Sequence, residues 1–90
     1  MTTIPYRGTA MQQLEELYPE SIVLDGFEAC ILGVDPYTSQ VIYNRERMID
    51  HLMDDGGSRE DALDYIDYNI LRLPIAEEKR PILITILGDI

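Results

Sequence analysis

The sequence predicts a small α+β domain: a sheet of about three antiparallel strands with a helical hairpin packed on one face, in the order α-β-β-α-α-β. Three observations carry that prediction. The chain has 90 residues, room for one domain (1–90) when a typical domain takes about 150. Its apolar residues change period along the chain, from helical spacing to alternation, back to helical spacing, and finally to a short continuous run. Gly, Pro, Asp and Asn stand where the period changes.

The first helix is expected over 9–18. Thr9-Ala-Met-Gln12 fits a capping box, Met11, Leu14, Leu17 and Tyr18 follow at helical spacing, and Pro19 stops the run. Ile22-Val-Leu24 is a brief β-favouring stretch broken by Asp25-Gly26. Beyond it, Phe27, Ala29, Ile31 and Gly33 fall on one side of an expected strand, with Glu28, Cys30, Leu32 and Val34 on the other. Asp35-Pro36-Tyr37-Thr38 fits a type I turn and Gln40-Val-Ile-Tyr43 is the return strand, giving a β-hairpin over 27–43.

Asn44 is placed to cap a helix over 45–54, with Met48, Ile49, Leu52 and Met53 on one arc and Glu46, Arg47, Asp50, His51 and Asp54 on the other. Gly56 is the expected left-handed stop. Ser58 caps a third helix, 58–73, whose first turn carries Glu60 and Asp61 towards the positive end of the helix dipole. Ala62, Leu63, Ile66 and Ile70 form its apolar arc, and Pro74 ends it. After Glu77-Glu-Lys-Arg80, the run Ile82-Leu-Ile-Thr-Ile-Leu87 reads as a strand over 82–87, buried on both faces or central in the sheet. One helical hairpin cannot hide this strand together with Phe27 and Ile31 and both sheet edges. A homodimer is the expected remedy.

Composition narrows the function. Hydrophobic residues at 46 % and charged residues at 27 % fit a globular protein. Seventeen acids against seven bases give a net charge of −10, which opposes binding to a phosphate backbone or an anionic lipid surface. The single cysteine, Cys30, fits a reducing compartment. The run 82–87 is far short of the roughly 20 residues that span a bilayer. Met1–Arg7 lacks a signal-peptide core, so a cytoplasmic location is expected.

Enzyme chemistry finds little to work with. His51 is the only histidine and lies on a polar arc, and Cys30, the one strong nucleophile, sits mid-strand where cysteine acts as an inert hydrophobe. Gly56-Gly57-Ser58 is not followed by the Lys of a phosphate-binding loop, and Glu60 and Asp61 already occupy its field. Glu60, Asp64 and Asp67 form a carboxylate stripe, yet the calcium-loop spacing fails and zinc ligands are too few. A short helix pair joined by a glycine turn has the outline of a helix-turn-helix. Between residues 46 and 67, however, eight acids face two arginines, so phosphate contacts would be repelled. No catalytic residue, cofactor or metal site is therefore expected. The six tyrosines suit half-buried rims or interfaces.

Asp25–Val34, Val41–Asn44, Met48–Met53 and Ser58–Asn69 together resemble a family of small accessory proteins of tailed bacteriophages. In that family an apolar strand ending in Gly-Val leads to a short helix, a helix of the pattern E-A-x-x-Y-I-x-Y-N and a Pro-led C-terminal strand. Asn44 stands where the family more often has Asp, and Asp61 and Asp64 replace a commoner Glu–Glu pattern. The resemblance covers about residues 25–87 and brings no catalytic residues. It implies an accessory protein in the cytoplasm of an infected bacterium.

The expected role is binding to another protein, as inhibitor or modulator of a host enzyme or defence system. Two other readings stay open: a nucleotide-sequestering protein with its ligand at a dimer interface, and a virion structural or assembly component. The candidate partner-binding residues are Asp50, Asp54, Asp55, Glu60, Asp61, Asp64 and Asp67. Carboxylates three and four residues apart on a helix repeat at roughly 5–6 Å, close to the phosphate spacing of one nucleic-acid strand. The same stripe also reads as a solubilising face.

Overall fold

The computed structural model describes residues 10–54 and 56–88. The fold is α+β: α1 (Ala10–Leu17), β1 (Ile31–Val34), β2 (Val41–Asn44), α2 (Arg45–Met53), α3 (Arg59–Ile66) and β3 (Ile82–Ile84). The strands form one sheet in the order β1-β2-β3. Thr9, the expected cap of the first helix, lies outside the described residues. Of that helix's apolar face, Leu14 is buried but Leu17 is exposed.

The expected all-antiparallel sheet is half right. β1 and β2 pair antiparallel, whereas β2 and β3 pair parallel, Tyr43 opposite Leu83. A bond network shows why. The Gln40 side-chain amide, one residue before β2, donates to the Arg80 carbonyl (2.9 Å) and the Glu77 carbonyl (3.3 Å), just before β3. Both strands therefore start at the same end of the sheet. The helices between them provide the long crossover that a parallel pair requires. Arg80 fixes this approach by donating from Nη1 to the Leu71 carbonyl (2.8 Å) and from Nε to the Ile75 carbonyl (3.2 Å).

The central strand is β2, not the C-terminal one. Val41, Tyr43 and Asn44 are buried, while β3 is a three-residue edge with Ile84 exposed. The hairpin also begins later than alternation suggests. Glu28–Cys30 is a 3-10 turn, and three residues per turn place Phe27 and Cys30 together in the core, where a strand would have sent them to opposite faces. A bulge at Leu32 interrupts the ladder between Ile31 and Gly33. The connecting loop is longer than a two-residue turn. Asp35 accepts from the Tyr37 amide through Oδ1 (2.9 Å), and the Asp35 N–H closes onto the Gln40 carbonyl (2.8 Å).

Helix caps follow the local chemistry. Asn44 Oδ1 accepts from the Arg47 amide (3.3 Å), so one residue ends β2 and starts α2. Gly56 takes φ +96°, the left-handed conformation that stops α2. Ser58 and Asp61 form a reciprocal capping box. The third helix is α-helical only to Ile66 and finishes in a π turn, Asp67–Leu71. Ile70 remains buried on that turn, alongside Met48, Ile49, Ala62 and Ile66.

Phe27 is not surplus surface. It is buried, with the His51 ring edge-on at 5.5 Å and the Tyr65 ring at 6.4 Å. The monomer thus covers part of what was assigned to a dimer.

Candidate acidic face and helix groove

The α2–α3 pair carries the expected partner-binding residues. Asp50, Asp54, Glu60, Asp61 and Asp64 are exposed and Asp67 is half-buried. Asp55 lies outside the described residues. The structure separates these acids by what each already holds. Glu46, not among the candidates, receives both arms of the Arg59 guanidinium, Nη1 to Oε1 at 3.1 Å and Nη2 to Oε2 at 3.3 Å. This fork ties the start of α3 back along α2. Arg59's hydrogen bond holds the Glu46 carboxyl below its ordinary range, and the same pairing raises Arg59. Arg45 also lies 3.4 Å from Glu46, and Arg72 pairs with Asp67 at 3.3 Å while lying over the Tyr68 ring.

The arginines of this region are thus largely committed. Asp50 shares the field of Arg59, and Asp61 serves the cap. Among the described residues, Asp54, Glu60 and Asp64 make no ion pair. These three are the acids free to meet a partner's cations.

Between the two helices lies an open groove of about 300 Å³ lined by Leu52, Gly57, Asp61, Ala62 and Tyr65. Leu52 and Ala62 come from the apolar arcs expected for the two helices, and Tyr65 is one of the tyrosines expected at a half-buried rim or interface. The available signal was the i, i+4 spacing of Asp61 and Tyr65, which sets a carboxylate and an aromatic ring side by side on α3. A second, smaller cleft of about 110 Å³ lies between α1 and β1, lined mainly by Leu14, Leu17, Tyr18, Ile31 and Leu32.

The groups weighed for catalysis occupy other surroundings. His51 is engaged by Phe27. Cys30 is buried, and burial pushes its thiol above the ordinary value. Among the described residues no group of three His, Cys, Asp or Glu is arranged to hold a metal ion, and no helix is long and apolar enough to cross a membrane.

A scan against family models finds no match, and searches of curated proteins and of solved structures find none either.

Proposed function

We propose that this chain is a non-enzymatic accessory protein that acts by binding another protein through the acidic face of α2 and α3. On the phage resemblance, the partner is a host enzyme or defence-system protein in an infected bacterium. One observation carries the reading. Arg45 and Arg59 are spent on Glu46 and Arg72 on Asp67, so that among the described arginines of α2 and α3 Arg47 alone makes no ion pair, while Asp54, Glu60 and Asp64 stay exposed and unpaired on capped helices. A face built only for solubility would intersperse both signs. Here the unpaired acids outnumber the one unpaired arginine, Arg47, and a basic groove that ordinarily accommodates nucleic acid would be steered towards them.

The test is affinity capture from bacterial lysate with the wild-type chain and with the triple variant Asp54→Asn, Glu60→Gln, Asp64→Asn. The reading expects a basic protein retained by the wild type at low salt, lost at high salt, and lost from the triple variant. A partner retained equally by both chains would refute it.

A further inference from the structure

The groove between α2 and α3 has a composition that selects its occupant. Leu52 supplies aliphatic surface, buried Ala62 the floor, Tyr65 an aromatic wall and Asp61 a carboxylate. Gly57 leaves the mouth without a side chain. Tyr65 is 44 % exposed, yet its ring is backed by Phe27 at 6.4 Å, so the wall is supported behind and open in front.

Asp61 is held in place by the capping box. Its amide donates to Ser58 Oγ (3.1 Å) and its Oδ2 accepts from the Ser58 amide (3.4 Å). An ionised carboxylate offers about four acceptor positions, so capacity remains after that bond. The mouth also lies at the C-terminal end of α2. The Leu52 carbonyl oxygen stands 3.9 Å from the position a Cβ on Gly57 would occupy. The negative end of the α2 dipole favours a cation there while the positive end of the adjoining α3 opposes one, so the Asp61 carboxylate decides the sign of the mouth.

These features exclude two kinds of occupant. An anion would meet the Asp61 carboxylate, which already occupies the N-terminal end of α3. A purely apolar side chain would strip water from Asp61 without giving it a donor. A lysine or arginine satisfies every surface: its methylene stem covers Leu52, and its charged head lies over Tyr65 and reaches Asp61.

We infer that this groove receives a lysine or arginine side chain from a basic segment of the partner. The inference rests on the acidic-face reading and adds to it a defined anchor point. Long-range attraction brings the partner to the face, and the groove fixes one of its side chains.

The experiment uses a capped hexa-arginine peptide titrated into the full chain, followed by amide chemical shifts. Gly57→Leu is the decisive variant. Gly57 does not require a positive φ, and its Cβ would meet Asp61 Cβ at an ordinary 3.7 Å. A leucine there obstructs the mouth while every charge is kept. Tyr65→Leu is the second variant, removing the π face but retaining bulk against Phe27. The expected result is shifts concentrated at residues 52, 57, 61, 62 and 65, with affinity roughly three- to tenfold weaker in each variant.

Equal affinity for wild type and both variants, or shifts spread evenly over the acidic surface, would overturn the groove assignment. If binding then still fell in Asp54→Asn, Glu60→Gln, Asp64→Asn, the acidic face would stand without its anchor. No binding by the wild type even at low salt would overturn both.

Discussion

At the scale of single residues, Tyr43 shows how one side chain couples distant segments. It is fully buried in the central strand, and its hydroxyl accepts from the Leu24 amide at 2.8 Å, fixing the otherwise irregular stretch before the 3-10 turn. Tyr43→Phe keeps the ring but leaves that buried N–H without its acceptor, and should cost about 1–3 kcal/mol in denaturant unfolding. Burial also raises the Tyr43 phenol above its ordinary value of 10.0, outweighing the Leu24 bond, which lowers it. A group raised in the folded state binds its proton more tightly there than in the unfolded chain. Its contribution is therefore complete below the unfolded value and is lost as pH rises through the folded one. Wild-type stability should accordingly decline above about pH 10, and Tyr43→Phe should show a weaker decline. Identical alkaline profiles for the two proteins would contradict this role.

At the scale of elements, the helix faces are the part of the fold that the sequence made most legible. Asn44 and Ser58 cap as their residue types and spacing predict, and Gly56 stops α2. Met48, Ile49, Ala62, Ile66 and Ile70 are buried as their period requires, whereas Met53, expected on the same arc, is exposed at the last position of α2. These signals act within one or two turns and can be read locally. Sheet partners cannot. The parallel placement of β3 depends on Gln40 reaching Glu77 and Arg80, 37 and 40 residues further along the chain, and no local pattern encodes that choice. The 3-10 turn at Glu28–Cys30 was hidden because Phe27, Ala29 and Ile31 alternate as strand residues do, and only the joint burial of Phe27 and Cys30 reveals the three-residue period. The groove was hidden for a related reason. Leu52 and Tyr65 reveal a shared concavity only after α2 and α3 have been packed together.

The face assignment has a direct consequence. Ile66→Ala removes a side chain that is 2 % exposed and should cost about 2–5 kcal/mol. Asp64→Ala, on the solvent side of the same helix, should change stability by less than about 0.5 kcal/mol. Thermal melts of the two variants would give equal shifts only if the helix were rotated from the orientation described.

At the scale of the whole molecule, net charge and exposed surface pull self-association and partner binding in opposite directions. The −10 chain repels a second copy, yet the edge strand β3 leaves Ile84 exposed and Leu87 lies 90 % exposed just beyond it. We propose that homodimers form along this edge, leaving the acidic face free on both protomers. Added salt screens the repulsion and should favour the dimer. Static light scattering should move towards about twice the 10.3 kDa chain mass as salt and protein concentration rise. A monomer under all these conditions would remove the dimer and leave the binding face untouched.

Partner binding should respond to salt in the reverse sense, and this gives the most direct test of the central claim. The measurement is the association rate of the captured basic partner with wild type, Asp64→Asn and Asp67→Asn as a function of ionic strength. Electrostatic steering predicts a steep fall in the wild-type rate with added salt. Asp64→Asn should slow association more than Asp67→Asn, because Asp67 is already paired with Arg72. Rates that are insensitive to salt and equal for all three proteins would show that the acidic face is solvated surface and that the partner binds elsewhere.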